Sequence, residues 1–390
     1  MTQRTVRLVE RRTREAKLPR ADALFLVEHF PHAIEVVPGF YRGTYRLTPR
    51  GYVGFVDGPT RRFEIGPKVP WPAVLMLLGL SASPFPVGTA VNPGSDLLGI
   101  LGRELAARMA AVARAGLVCG YHDQDTVSRF LRGRLRTHEQ LRDTARGRTP
   151  DLFPITDTAF DLDTPWNRIP KAVGTSLLSH PELPAAVRDE LASALGPFDP
   201  VPHVPVSEAD FEAAARDLRA AAYNDLLAHC RVIHDGLSAA GATGERGAFL
   251  IDLGRAFERF VTESVTAVFA ARPGWSVEAQ PRFALGESTV LQPDLLVRRR
   301  GAVRAVLDAK WKKPGPDAPD LHQILAYAAV TGTDHVGLVY PGRCFARREL
   351  AFPGGRLRVS LFRVQLIGPA GACNDSVARL AQVFATRPRS

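Results

Sequence analysis

Two aspartates and a lysine have the spacing that hydrolysis of a phosphodiester by a metal-activated water requires. Asp294 follows a proline at the start of one β-patterned run, and the triplet from Asp308 to Lys310 ends the next, within QPDLLVRRRGAVRAVLDAKWKK (292–313). Side chains on a strand alternate between its two faces, so Asp308 and Lys310 point the same way. Two carboxylates and one ammonium would therefore converge where the two runs lie side by side.

The connection between the two runs, Arg298 to Gly301, is typical of a hairpin turn, which brings Asp294 alongside Asp308. Hard carboxylate oxygens suit Mg²⁺. Mg²⁺ between a phosphodiester and a water makes the water a nucleophile and stabilises the leaving oxyanion. We therefore expect Asp294, Asp308 and the backbone carbonyl of Ala309 to hold Mg²⁺, with Mn²⁺ as an alternative ion. We expect Lys310 to orient or deprotonate the water, or to neutralise charge on the phosphorus.

The alternative interpretation of the same residues is an exposed hairpin with a solvated aspartate and lysine. The runs Leu295–Val297 and Val303–Leu307 are apolar and rich in β-prone residues, so the charged triplet ends a largely buried strand. A buried charge needs a partner or a metal ion, which favours the catalytic interpretation.

A helical pattern before the two runs brings a further acidic group. The segment 251–261 has apolar residues at helical spacing, which places Glu258 near the edge of the apolar face. Glu258 is therefore a candidate catalytic residue. A solvated glutamate beside Arg255 and Arg259 explains the spacing equally well.

A helical pattern after the two runs carries two polar side chains on one face. In the segment 320–327, Gln323 and Tyr327 are four residues apart, so they can approach a single site together. We expect Gln323 to act in catalysis and Tyr327 to contact DNA. Ordinary packing of the helix on the sheet, with a polar tip, is the alternative.

Further strands at 335–340 and 359–367 complete the order α-β-β-β-α-β. This order and the P-D…D-x-K spacing resemble the PD-(D/E)xK restriction-nuclease superfamily, which implies an α/β (α+β overall) fold with a restriction-endonuclease-like core at its C-terminal end. The finer resemblance is to the McrC family, and it covers most of the chain. It is carried by GRAFERFV, QPDLLV, VLDAKWK and DLHQILAYA, and before them by GYVGFVDG, RRFEIGPKVPW, GLVCGY, RFLRGRLR and DTPWNRIPKAV.

The McrC resemblance implies the nuclease subunit of a modified-cytosine restriction system, which works with a McrB-like AAA+ ring that hydrolyses GTP. In that family the N-terminal end contacts the ring and stimulates its GTPase, while the C-terminal end cuts double-stranded DNA. Glu64 and Lys68 match the family's N-terminal segment, although spacing assigns neither a chemical role, and a β-turn with a solvated lysine is the interpretation of this segment in isolation. Asn167 and Arg168 are expected to fix a buried turn rather than to touch DNA. No G-x-x-x-x-G-K-[ST] motif occurs, so the chain itself is expected to bind no nucleotide.

The formal net charge of +10 favours a polyanionic partner. Basic residues cluster at 298–300, 310–313 and 343–348, beside the expected site, as a footprint on a phosphate backbone should. A basic surface that serves solubility or binds anionic lipid is the alternative, but the longest apolar run, 71–80, is too short to cross a bilayer. The expected DNA contacts, besides Tyr327, are Arg298, Arg299, Arg300, Lys312 and Lys313.

The cysteines and the opening segment argue against other classes of protein. The four cysteines are scattered without a C-x-x-C pair, so neither a structural zinc site nor a disulfide framework is expected. The segment 1–17 is basic but lacks an apolar region, so it is not a signal peptide, and a cytoplasmic location is expected.

Shifts in pattern divide the chain into three expected domains: a β-rich module (1–95) that binds the AAA+ partner, a mixed, largely helical middle region (96–205) and the nuclease domain (206–390). A Ser/Pro/Gly-rich stretch ends the first at Ser95, a plausible helix cap. A long Ala-rich helix is expected from 207 to 237, after a breaker-rich connector. Deletion of the first 80 residues is expected to leave the nuclease core folded.

Three functional classes fit these observations. The favoured one is a DNA endonuclease subunit that works within a GTPase-driven complex and leaves recognition of the base to its partner. The second is a self-sufficient PD-(D/E)xK nuclease that acts on repair intermediates, and the third is a non-catalytic activator or adaptor of an AAA+ ring. An adjacent gene for an AAA+ GTPase would separate the first class from the second, and Mg²⁺-dependent cleavage would exclude the third.

Overall fold

The computed structural model describes residues 4–79, 95–147, 151–216, 222–239, 241, 247–286, 289–350, 357–368 and 370–385. These residues form helices together with parallel and antiparallel sheets, which confirms the expected mixed α/β class. The predicted Ser/Pro/Gly-rich stretch up to residue 94 and the side chain of the predicted cap Ser95 lie outside the described residues.

The N-terminal segment forms small sheets around a helix. Its elements are β1 (Arg4–Val9), β2 (Arg14–Lys17), α1 (Arg20–His29), β3 (Ile34–Pro38), β4 (Thr44–Pro49), β5 (Tyr52–Asp57), β6 (Arg61–Gly66) and α2 (Trp71–Leu77). One sheet has the order β2-β4-β3, and in another β6 lies between β1 and β5. The alternating sequence pattern indicated runs that correspond to β4, β5 and β6, but not β1, β2, β3 or helix α1. In α1, Leu24 and Val27 are exposed while Leu26 is buried, which blurs the helical periodicity.

The middle segment combines helices with a long antiparallel strand pair. Its elements are α3 (Ser95–Ala115), β7 (Gly120–Ser128), β8 (Arg134–Leu135), α4 (Thr137–Ala145), β9 (Phe153–Asp161), α5 (Pro165–Leu178), α6 (Ala185–Leu195), α7 (Glu208–Arg216) and α8 (Asn224–Ala239). Strand β9 pairs with β7 on one side and β8 on the other. Of the single helix predicted from 207 to 237, the structure describes α7 and α8, with 3₁₀ conformation at residues 222 and 223 directly before α8; residues 217–221 lie outside the described residues.

A buried polar network at the start of α5 confirms the predicted turn. Asn167 is fully buried, and its Nδ2 donates to the carbonyls of Val118 and Leu162, both at 2.9 Å. The Tyr223 hydroxyl donates to Asn167 Oδ1 at 2.7 Å. Arg168 pairs with the nearby Asp163. These side chains are used in fixing the backbone, which is the role expected for Asn167 and Arg168.

The C-terminal segment contains a six-stranded sheet with helices on both faces. Its elements are β10 (Ala248–Asp252), α9 (Leu253–Ala270), β11 (Trp275–Ala279), β12 (Phe283–Leu285), β13 (Thr289–Leu291), β14 (Leu295–Arg299), β15 (Ala302–Ala309), α10 (Ala318–Thr331), β16 (His335–Gly342), β17 (Ala346–Leu350), β18 (Arg358–Gln365) and α11 (Ala370–Ala385). The helices and strands predicted in this segment are present as α9, β14, β15, α10, β16 and β18. The order α-β-β-β-α-β is reached only when β11, which the sequence did not indicate, is counted before β14, and the β12–β13 hairpin is inserted between them.

The order of the large sheet, β11-β14-β15-β16-β18-β17, brings the carboxyl ends of three strands together. Strands β15, β16 and β18 are parallel, so they end at one edge of the sheet. Helix α10 covers one face through Ile324 and Tyr327, while Phe362 of β18 contacts Phe384 of α11 on the other face. The predicted site lies at the edge where β15 ends and α10 begins.

The chain forms two compact units, residues 1–97 together with 235–390, and residues 98–234. The predicted boundary at 95 lies close to the unit boundary at 97, whereas the predicted boundary at 205 does not coincide with the one at 234, and residues 206–390 do not form a unit by themselves. The physical reason is strand β10, which pairs antiparallel with β5 and buries Ala248 and Leu250 in the core of the N-terminal sheets. None of the helices in the described ranges has the length and apolarity needed to span a membrane.

Candidate active site

A tight hairpin brings the two aspartates together, as predicted. Strands β14 and β15 pair antiparallel with Leu295 opposite Leu307, so Asp294 and Asp308 flank one end of the ladder. At the other end, Arg300 and Gly301 have φ of 50° and 81°. Positive φ at both residues is the geometry of the two-residue turns that match strand twist.

Asp294 is held by the backbone of both neighbouring segments. Its Oδ2 accepts a hydrogen bond from the Ala309 amide at 2.6 Å, and its carbonyl accepts one from the Gln280 amide at 3.0 Å. Burial raises the pKa of Asp294, and the carboxylates of Asp308 and Glu258 raise it further. Asp294 therefore lies in a preformed position where an additional negative charge is unfavourable unless a cation compensates it.

Asp308 is almost completely buried, with 2 % of its surface exposed. Burial raises the pKa of Asp308, and the nearby Lys310 ammonium offsets part of this increase. The Lys310 ammonium lies 2.6 Å from Asp308 Oδ2, so these side chains do share a face of the strand. Apart from this ion pair, Asp308 Oδ2 has no hydrogen-bond partner among the described residues, which leaves it free to accept a further ligand.

Helix α10 supplies the chain of polar side chains that holds Lys310. Lys310 Nζ donates to Gln323 Oε1 at 2.8 Å, and Gln323 Nε2 donates to the Tyr327 hydroxyl at 2.7 Å. The hydroxyl in turn donates to the Gln292 carbonyl at 3.0 Å. Burial, followed by the charge of Asp308, raises the pKa of Tyr327 to about 12, which keeps the hydroxyl protonated as a donor. Gln323 and Tyr327 thus approach one site, as their spacing predicted.

The predicted contact of Tyr327 with DNA is wrong in this structure. Its side chain is 2 % exposed and packs in the apolar core between α10 and the sheet. The spacing identified the correct helix face, but this residue lies under Gln323 rather than on the surface. Burial leaves no surface for a phosphate to reach.

Glu258 lies close enough to the two aspartates to raise the pKa of both. Helix α9, which carries it, begins at Asp252, whose side chain accepts hydrogen bonds from the amides of Gly254 and Arg255. Glu258 is half-buried and accepts a hydrogen bond from Gln280 Nε2. The geometry therefore favours a position in the site over the alternative of a solvated glutamate beside Arg255 and Arg259.

Two residues of the site were not identified from sequence. The Gln280 side chain donates a hydrogen bond to Glu258, and its backbone amide donates one to the Asp294 carbonyl. Its φ of 48° lies in the left-handed region, which residues other than glycine rarely adopt. Asp320 is 6 % exposed and accepts from Lys312 and from the Tyr340 hydroxyl. Gln280 belongs to no spacing motif, and Asp320 begins the motif DLHQILAYA without an assigned role, because the contacts that define both residues join separate segments of the chain.

The basic residues predicted to contact DNA occupy two different places. Arg298 to Arg300 lie at the turn end of the β14–β15 hairpin, roughly 17 Å from the carboxylates at about 3.4 Å per residue. The expectation that they lie beside the site is therefore wrong. Lys312, which is beside it, already pairs with Asp317 and Asp320, whereas Lys313 is exposed.

The two aspartates offer the hard oxygen donors that Mg²⁺ prefers. In the described part of the chain, no three His, Cys, Asp or Glu side chains form a group that could hold a metal ion, and all four cysteines are free. Mg²⁺ commonly binds through one or two carboxylates and keeps several waters. Two converging carboxylates, Asp294 and Asp308, next to the Ala309 backbone are compatible with that ion.

Comparison with known proteins gives a family and a fold. The model of the family described as McrBC 5-methylcytosine restriction system component matches residues 47–341. A chain in a half-complex refined from the tetradecameric assembly of Thermococcus gammatolerans McrB AAA+ hexamers with bound McrC is 17% identical. That alignment covers 97% of this chain and 100% of the other, with a TM-score of 0.51, which shows a similar fold.

A chain of the Thermococcus gammatolerans McrBC complex is also 17% identical, covering 68% of this chain and 88% of that one, with a TM-score of 0.40. Protein VC1899 from Vibrio cholerae is 12% identical over 74% of this chain and 52% of its own, with a TM-score of 0.24. No curated protein matches the sequence.

Proposed function

Because the chain belongs to the family of McrBC 5-methylcytosine restriction system components, we propose that it is the DNA-cutting subunit of such a system. In this proposal it is a Mg²⁺-dependent endonuclease that hydrolyses phosphodiester bonds and stimulates the GTPase of an AAA+ partner in the cytoplasm. The observation that carries the proposal is the convergence of Asp294, Asp308 and Lys310 at the end of one hairpin.

Asp294, Asp308 and the Ala309 carbonyl would hold the Mg²⁺ ion. When bound, the ion supplies an activated water and stabilises the leaving oxyanion. The Ala309 amide orients Asp294 through the hydrogen bond to its Oδ2, so this carboxylate needs no rearrangement. Preorganisation of this kind is what lets a polar site stabilise developing charge efficiently.

Lys310 contributes a charged donor whose direction is set by its neighbours. An ammonium has three N–H donors. Contacts with Asp308 and Gln323 occupy two of them, which leaves one for the attacking water or a phosphate oxygen. Tyr327 orients Gln323 in turn, so the buried hydroxyl acts on Lys310 through the amide.

The AAA+ partner is proposed from family membership and from exposed apolar side chains. Phe40 and Tyr41, between β3 and β4, are 88% and 70% exposed, within the module predicted to bind the ring. In the other compact unit, Phe130 is 79% exposed, while the exposed rings of Tyr121 and Phe160 contact each other at a tilt, with their centres 4.6 Å apart. Apolar groups of this size at a surface are typical of binding sites. Both groups are candidates for contact with a ring.

A cleavage assay tests the proposal. Plasmid DNA containing 5-methylcytosine is incubated with the chain, the neighbouring AAA+ protein, GTP and Mg²⁺, and each component is omitted in turn. The wild type should cut only in the complete mixture, and Asp308→Asn should not cut. The matched control is Asp334→Asn, an exposed aspartate at the opposite end of the sheet, which should cut like the wild type.

The other functional classes are distinct outcomes of the same assay. Cleavage without the AAA+ protein would support a self-sufficient nuclease. Stimulated GTP hydrolysis by a wild-type chain that never cuts would support an adaptor. The Asp308→Asn chain should still stimulate GTP hydrolysis, because the substitution alters a buried site and leaves the surface unchanged.

A further inference from the structure

A buried carboxylate of the N-terminal module lies against the residue that follows Lys310. Glu10, directly after β1, has no exposed surface. Its Oε1 accepts a hydrogen bond from the Trp311 indole Nε1 at 2.6 Å, although the two residues are 301 positions apart. A charge that is fully buried is unfavourable unless the surrounding groups compensate it, so this arrangement requires an explanation.

Two cations compensate the Glu10 charge: Arg11, whose Nε lies 3.5 Å from Glu10 Oε1, and Lys68, from the segment after β6. The Lys68 ammonium lies 3.4 Å from Glu10 Oε1 and 4.7 Å from the centre of the Trp311 ring, over its face. Burial lowers the pKa of Lys68, and the Glu10 charge acts in the opposite direction. Lys68 was part of the resemblance carried by RRFEIGPKVPW, and its spacing alone suggested no role. We call Glu10, Lys68 and Trp311 the tryptophan clamp.

The clamped residue connects two parts of the proposed active site. Trp311 is 4% exposed, and its ring contacts Phe257 of α9 at 5.5 Å, next to Glu258. On its other side is Lys310, whose backbone amide is tied to Val339 at 2.8 Å. The position of the indole therefore constrains the chain where β15 ends.

We infer that Glu10 and Lys68 are positioning residues of the nuclease site, which hold Trp311 so that Lys310 stays between Asp308 and Gln323. This inference rests on the proposed nuclease function. It extends it by making the N-terminal module part of the cutting apparatus, in addition to any contact with a partner. Displacement of a catalytic group by about 1 Å can lower a rate on the order of 100-fold.

The test is a set of single-turnover cleavage rates at saturating DNA, in the complete mixture of full-length chain, AAA+ protein, GTP and Mg²⁺ with the methylated plasmid. The variants are Glu10→Ala, Trp311→Phe, the double variant and Glu10→Gln. DNA affinity is measured separately with Ca²⁺, which supports binding without the geometry needed for cutting. Asp22→Ala is the control, because it removes another fully buried carboxylate of the same module that bonds Thr60 instead.

Glu10→Ala should lower the cleavage rate about 100-fold with unchanged DNA affinity and unchanged stimulation of GTP hydrolysis. Trp311→Phe should have a similar effect, and the double variant should be no slower, because both substitutions remove the same contact. Glu10→Gln should regain most of the rate, since its amide oxygen still accepts from the indole. Asp22→Ala should retain the wild-type rate per folded molecule.

Two results would overturn the inference while leaving the proposed function intact. One is a wild-type cleavage rate for folded Glu10→Ala. The other is a multiplicative loss in the double variant, which would mean that Glu10 and Trp311 act independently. A wild-type chain that fails to cut in the complete mixture would instead contradict the proposed function.

Discussion

Asp294→Asn is expected to stabilise the chain in the absence of divalent metal while it abolishes cleavage. The amide keeps an oxygen that accepts from the Ala309 amide, so the hydrogen bond that orients the side chain survives. The substitution removes only the negative charge. Burial, Asp308 and Glu258 all disfavour that charge when no cation is present.

The expected gain in the free energy of unfolding follows from the pKa of Asp294. These causes raise the pKa of Asp294 from its ordinary value of 3.8 to about 8. A pH of 7 lies about three units above the ordinary pKa of Asp294 and below its raised pKa, and each unit corresponds to about 1.4 kcal/mol, which gives an upper bound of about 4 kcal/mol. The side chain is partly exposed, so water screens part of this effect. We therefore expect a gain of about 2 kcal/mol, or on the order of 4 °C in Tm.

The gain in stability from Asp294→Asn should depend on pH. A carboxyl whose folded-state pKa is raised gives full stability below its ordinary pKa, and that stability is lost as the pH rises toward the folded value. The gain from Asp294→Asn should therefore be absent near pH 4 and largest near pH 8. Mg²⁺ should raise the Tm of the wild type and not that of the variant, because a ligand stabilises only the state that binds it.

Thermal unfolding in EDTA across this pH range, with Asp334→Asn as the exposed control, provides the measurement. An Asp294→Asn chain that melts at or below the wild-type temperature at pH 8 would show that the carboxylate charge does not destabilise the fold. A gain of equal size at pH 4 would show the same, since it could not come from the carboxylate charge.

Three further predictions concern the surroundings of the two aspartates. Lys310→Met should lower the cleavage rate at least about 100-fold with DNA affinity in Ca²⁺ unchanged; wild-type cleavage would exclude Lys310 from catalysis. Tyr327→Phe removes two hydrogen bonds and should lower the free energy of unfolding, measured by chemical denaturation, by about 2 kcal/mol. An unchanged free energy of unfolding would show that the hydroxyl does not stabilise the fold. Deletion of residues 1–80 should make the remaining chain sensitive to limited proteolysis, because β10 loses its partner β5 and Trp311 loses its hydrogen bond to Glu10. This result is contrary to the expectation from sequence. A protease-resistant core would instead support separable modules.

The sequence identified the parts of the site that are close in the chain. Asp294, Asp308 and Lys310 belong to one hairpin, so alternation along a strand and a short turn were enough to bring them together. Gln323 and Tyr327 are one helical turn apart, so a shared helix face followed from their spacing. Local geometry of this kind depends on backbone repeats that any strand or helix has.

Tertiary structure decided the remaining features, because they depend on which segments pack together. The contact of Glu10 with Trp311, the role of Gln280 and the pairing of Lys312 with Asp320 join residues that no periodic pattern relates. Burial of Tyr327 and the position of Arg298 at the far end of the hairpin likewise follow from packing and strand length. The pairing of β10 with β5 joins the first and last parts of the chain in one sheet, because strand partners are chosen by contacts across the fold rather than by neighbours in sequence.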